Sequence, residues 1–200
     1  MRLLLIGPPG AGKGTQAVRV AARFNVRHIS SGDLLRKHVA ESTAIGRTVK
    51  EYLGRGDLVP DGIVMDILRK PVVEASQSGG YVLDGFPRTV DQARAAYMVA
   101  RDLGVAVQVA VHLEVPRDEL VRRLLARGEA TGRSDDTEEV ITHRLEVYEA
   151  KTLPMLDYYA QREKLLAVNG VRPVDEVTWS IVVQLQQVQR QLQAPQPDLR

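Results

Sequence analysis

The sequence predicts a doubly wound α/β domain: a parallel five-stranded sheet with helices on both faces. Three observations predict it. Short apolar, β-rich runs recur along the chain and alternate with segments of helical period, as expected of strands buried on both faces. The first of these runs ends in a glycine-rich loop that opens directly into a helical pattern. The chain has 200 residues, 44% of them apolar, which fits a single core with no long linker.

In chain order, strands are expected at Leu3–Ile6, Val26–Ile29, Tyr81–Leu83, Val105–Leu113 and Leu165–Val168. Helical patterns fill the intervals: Lys13–Phe24, Asp33–Glu41, Gly46–Leu53, Gly62–Ser76, Val90–Leu103, Arg117–Arg127, Thr137–Arg162 and Pro173–Leu192. Pro71 should kink or end its helix near Lys70, and Pro154 should split the long pattern near Leu153. Ser30 and Ser31, before a charged first turn, suit an N-cap. Asp136 suits another, with Glu139 as its reciprocal partner. One domain is expected over residues 1–192, and the tail 193–200, with its prolines, should fray.

Composition excludes several classes. There are no cysteines, hence no disulfide and no thiolate zinc site. No run approaches the ~20 apolar residues of a membrane span. The glycine loop interrupts the first apolar run too early for a signal peptide. A cytoplasmic protein is the expectation. Net charge is only +2, yet the basic residues are 21 Arg against 6 Lys. Arginine makes planar, bidentate contacts with phosphate. With aromatics at 4%, no stacking platform for nucleic acid is evident.

Gly7 to Thr15 read Gly-Pro-Pro-Gly-Ala-Gly-Lys-Gly-Thr. A helix start carries unpaired N–H groups and the positive end of the helix dipole, so it attracts phosphate. Gly7, Gly10 and Gly12 let the backbone approach closely, and Lys13 sets a cation beside the β/γ-phosphates. This is a P-loop. Gly14 stands where a magnesium-binding hydroxyl usually follows the lysine, and the hydroxyl comes one residue later, at Thr15. Tyr81-Val82-Leu83-Asp84 is a second landmark, a strand ending in a carboxylate where open sheets face their ligand. Asp84 is placed there to hold Mg²⁺ through water, with Asp33 and Thr15 as partners. Arg123 and Arg127 share one helix face, and Arg133 and Arg144 flank the same polar stretch from Gly128 to Asp136. Arg122 reads as a surface residue. His28, His38, His112 and His143 lie outside every motif.

Three segments together resemble the adenylate kinases among the nucleoside monophosphate kinases. They are Gly-Lys-Gly-Thr-Gln from Gly12, Ser-Ser-Gly-Asp-Leu-Leu-Arg from Ser30, and Asp-Gly-Phe-Pro-Arg-Thr from Asp84. The resemblance covers nearly the whole chain. It implies transfer of a phosphoryl group from Mg·ATP to AMP, with a lobe about 30–59 for AMP and a short lid about 127–137. On that reading Gly10, Ala11, Gly12, Lys13, Gly14, Thr15, Arg123, Arg127 and the backbone of Gly170 hold ATP. Ser31, Arg36, Asp57, Leu58, Val59, Gly85, Phe86, Pro87, Arg88, Gln92, Arg133 and Arg144 hold AMP. Lys13, Arg88, Arg123, Arg133 and Arg144 stabilise the transfer. Ser31 and Thr89 favour AMP over the acceptors of UMP/CMP kinases, the nearest alternative. A non-catalytic P-loop switch would have no use for the second phosphate site. The lid lacks the long zinc-bearing insert of many relatives, so no zinc is implied. Short relatives are often monomers, and a monomer is expected.

Overall fold

The computed structural model describes residues 1–133, 135–162 and 164–193. The expected fraying of the tail falls outside them from residue 194 onward. Five strands form one parallel sheet: β1 (Arg2–Ile6), β2 (Arg27–Ser30), β3 (Tyr81–Asp84), β4 (Val109–Glu114) and β5 (Lys164–Asn169), in the order β2-β3-β1-β4-β5. Successive side chains of a strand point to opposite faces. Leu3 and Leu5 of β1 accordingly enter one core and Leu4 and Ile6 the other.

Helices cover both faces. On the first face lie α1 (Lys13–Phe24), α6 (Arg117–Thr131), α7 (Glu138–Val147) and α9 (Val174–Gln193), packed through Val20, Leu124, Leu145 and Ile181. On the second lie α2 (Ser31–Ala40), α3 (Ala44–Arg55), α4 (Asp61–Gln77), α5 (Val90–Asp102) and α8 (Met155–Arg162), packed through Leu35, Val49, Leu68, Ala93 and Met155. A buried leucine or valine of this kind contributes roughly 1.5–3 kcal/mol.

Several boundaries differ from expectation. The fourth strand begins at Val109, not Val105. Val105 is buried, but its carbonyl accepts from the Tyr81 hydroxyl, and the Ala106 carbonyl accepts from Arg2 Nε. Side chains thus occupy groups that a ladder would use. Pro71 does not end its helix, and α4 runs on to Gln77. Its buried face, Val64, Leu68 and Ala75, spans the proline on both sides, so packing overrides the lost bond. Pro154 does mark a break: a π-helical turn, Tyr148–Thr152, precedes α8. The cap of α7 is Thr137, whose hydroxyl accepts from Val140 N at 3.4 Å, and not Asp136. Ser30 caps α2 as expected, accepting from Asp33 N. Helix α6 continues through Gly128 to Thr131, so the polar connection before α7 is shorter than the sequence suggests.

Candidate functional site

The chain leaves β1 toward the first face and its neighbour β3 toward the second, and a crevice opens at their C-terminal ends. The glycine loop fills its base. Gly12 is the N-cap of α1 with φ 90°, a left-handed conformation that a side chain would strain. No side chain caps this helix and its first turn carries no acid, so its leading N–H groups remain open to an anion. Lys13 curls back, donating from Nζ to the carbonyls of Gly7 and Pro8 at 2.8 and 2.9 Å. Burial is the main reason its pKa falls to about 8; Asp84 raises it, while Arg88, Arg144 and Arg127 lower it.

One cleft of about 820 Å³ gathers most of the predicted residues. Gly10 to Thr15, Asp33, Arg36, Asp84, Gly85, Arg88, Arg123, Arg127, Arg133, Arg144 and Gly170 all line it. Ser31, Asp57, Leu58, Val59, Phe86 and Gln92 line a narrow cleft beside it, joined through Gly85 and Arg88. Pro87 lines a further small cavity with Leu58 and Arg144. Gly85 has φ 82°, and a Cβ there would stand 2.6 Å from Ser31 Oγ, so only glycine fits this junction.

The arginines are held by acids. Arg127 makes a two-pronged pair with Asp136 at 2.7 Å per bond. Arg144 Nη1 reaches the Asp135 carbonyl, the Asp135 carboxylate and Asp136 Oδ1 at 2.9–3.0 Å. Arg123 binds Glu119 at 2.6 Å, and Arg122 shares that carboxylate. Arg122, and then Arg123, hold Glu119 down to about 2. Burial alone would push Asp136 up, but Arg127, Arg144 and Arg133 keep it below the usual carboxylate range. Arg36 pairs with Asp33 at 2.5 Å. Arg88 donates from Nε to the Gly85 carbonyl at 2.7 Å, and burial pushes its pKa down. Arg133 has no ion-pair partner among the described residues, and burial, then Arg36 and Arg127, lower its pKa.

Sequence reasoning missed Glu119, Asp135 and Asp136 as partners of the arginines. The adjacent carboxylates two and three residues after Arg133 were the available sign. It also missed Thr152, whose hydroxyl donates to the Arg88 carbonyl at 2.7 Å, and Asp61, which accepts from Gln92. Neither could be found by spacing, because each comes from a distant segment.

A glycine loop under a bed of arginines, with a second cleft opening off the same bed, defines a P-loop phosphotransferase that serves two anionic ligands. Comparison with known proteins narrows the class. The family model described as Adenylate kinase matches residues 5–164. An adenylate kinase of Leptospira biflexa is 47% identical over 90% of this chain and 97% of its own length. One of Kocuria rhizophila is 43% identical over 92% and 98%, and Adenylate kinase 1 of a Nostoc species is 45% identical over 88% and 94%. The chain belongs to the adenylate kinase family.

Proposed function

We propose that this chain moves the γ-phosphoryl group of ATP reversibly to AMP, giving two ADP. The observation that carries the reading is the single cleft in which the P-loop, Arg36, Arg88, Arg127, Arg133 and Arg144 converge. ATP would lie with its phosphates over Gly10–Thr15, Lys13 at the β/γ-phosphates, Arg123 and Arg127 above them, and its adenine near Gly170. AMP would place its phosphate on Arg36 and Arg88 and its base beside Ser31, Asp57–Val59, Gly85–Pro87 and Gln92. Arg133 and Arg144 would bridge the two nucleotides.

The attacking oxygen of AMP is already ionised at neutral pH, so the transfer needs no general base. None of the four histidines lines this cleft. Catalysis then rests on alignment and on charge placed where the transition state needs it. Water must be kept out, which calls for closure of the lobe about 30–59 and the lid about 127–137.

The donor set also fits magnesium. Asp84 is 8% exposed, and its Oδ1 has no hydrogen-bond partner among the described residues. It shares the cleft with Asp33 and Thr15. These oxygens suit a hydrated Mg²⁺ arriving with ATP, which would neutralise phosphate charge. The sequence has no cysteine to build a thiolate zinc site.

We read the working unit as a cytoplasmic monomer acting on small nucleotides, because the P-loop and arginine cleft and the narrow cleft beside it, joined through Gly85 and Arg88, together offer places for both nucleotides. No helix among the described residues is long and apolar enough to cross a membrane. The test is turnover of ATP plus AMP, followed as ADP, together with binding of a compound that joins two adenosines through five phosphates. Expected are AMP-dependent ADP formation and one-to-one binding that displaces both nucleotides. ATP hydrolysis indifferent to AMP, or displacement of only one nucleotide, would overturn the reading.

A further inference from the structure

The Gln92 amide is fixed by two partners that each work in one direction only. Its Oε1 accepts from the Arg88 backbone N–H at 2.7 Å, and its Nε2 donates to Asp61 Oδ1 at 2.7 Å. A backbone N–H can only donate and a carboxylate can only accept. An amide turned over would set NH₂ against N–H and carbonyl against carboxylate. Gln92 is 3% exposed, so water is poorly placed to repair either mismatch. The backbone beneath is anchored as well: Gln92 N donates to Thr89 Oγ1, and the Arg88 carbonyl accepts from Thr152.

A carboxamide has two N–H donors and two acceptor lone pairs. One of each is used here, which leaves one donor and one acceptor in a set order. Adenine offers an N6–H donor beside the N1 acceptor. A 6-oxopurine offers an O6 acceptor beside an N1–H donor, the reverse. Resting on the reading that the narrow cleft takes the acceptor base, we propose that Asp61 is a specificity-determining positioning residue. It holds the Gln92 amide in the orientation that accepts a 6-aminopurine nucleotide and rejects a 6-oxopurine one. Asp61 lies in the first turn of α4, 31 residues from Gln92, and itself lines neither cleft. Its effect on the base passes through the amide alone.

The experiment compares AMP and IMP as acceptors with saturating ATP in the native protein, Asp61→Asn and Gln92→Met. Asparagine keeps the shape of Asp61 but can donate as well as accept, so one of the two directional constraints is lost. Expected in Asp61→Asn is a fall in the AMP-to-IMP ratio of kcat/KM on the order of tenfold, carried mainly by KM. The melting temperature and the affinity for ATP should stay near native values, since Asp61 is exposed and does not line the cleft that contains the P-loop. Gln92→Met should lower the ratio further. An unchanged ratio in Asp61→Asn beside a collapsed ratio in Gln92→Met would overturn the role of Asp61 while leaving base reading by Gln92 intact. Equal losses with both acceptors in Asp61→Asn would overturn it too, as a purely structural effect. An unchanged ratio in Gln92→Met would sink the base-reading premise itself.

Discussion

The glycine loop at the base of the cleft and the arginine arm above it present positive charge to the same space, yet they are held in place differently. The loop is organised by its own neighbours. Gly12 sets the turn, α1 supplies the N–H groups, and Lys13 is bound by carbonyls five and six residues away. The arm is assembled by ion pairs. Arg127 and Arg144 converge from α6 and α7 on Asp136, which is buried between them. A phosphate approaching the loop meets donors already aimed at it. One approaching the arm must compete with carboxylates for the guanidinium groups, or share them. The first arrangement favours a standing site, the second a set of guanidinium groups that can exchange their carboxylate partners for an incoming anion.

The largest effects should come from removing charge that has no substitute. Lys13→Met and Arg88→Ala are each expected to cut turnover by ~10²–10³-fold or more. Lys13→Met should leave the melting temperature unchanged or raised, because the native lysine is held against its burial cost. Near-native turnover in folded variants would break the assignment of either residue.

A smaller effect separates loop from arm. Asp136→Ala removes the carboxylate partner of Arg127 and leaves Arg144 only its Asp135 bonds, and should destabilise the nucleotide-free protein by about 1–3 kcal/mol. The loss should shrink when phosphates are bound, since they offer the arginines new partners. Thermal melts with and without ATP measure it. An equal loss in both states would mean that the arm never exchanges its acids for the ligand.

Titration sharpens the same contrast. Lys13 gives up its proton near pH 8, below its ordinary value of 10.5. ATP affinity should therefore weaken as pH rises through about 8. Between there and 10.5 the unfolded chain holds the extra proton, so the Lys13 contribution to stability rises with pH over the same window. The Glu119 contribution also rises with pH, but in a lower window and because its charged form is the one the fold stabilises. Its pairing with Arg122 and Arg123 is in force above 4.5 and is lost as pH falls toward 2. Affinity and melting curves from pH 6 to 10 would expose a lysine that titrates normally. The smallest change is expected of Arg122→Ala, whose guanidinium is largely exposed; turnover should stay within about twofold.

Much of this molecule is legible in its primary structure. The P-loop could be read at once because its function is local: consecutive backbone groups, one glycine conformation and one lysine make the anion site. The sheet could be read because alternating burial on two faces leaves apolar runs that nothing else explains. Arg88, Arg123, Arg127, Arg133 and Arg144 could be named individually, and they do meet in one cleft. Their counter-charges could not. Asp136 looked like a helix cap because a short acidic residue before a helix usually is one; the hydroxyl of Thr137 takes that place and frees the carboxylate for two arginines. Pro71 looked like a stop because local sterics say so, but buried side chains on both sides of it carry the helix through. The bond from Gln92 to Asp61 joins two helices whose proximity no spacing rule encodes. Backbone chemistry acts between neighbours in the chain and was therefore written in the sequence. Which carboxylate neutralises which arginine, and which way an amide faces, depends on how the elements pack, and only the folded structure decided it.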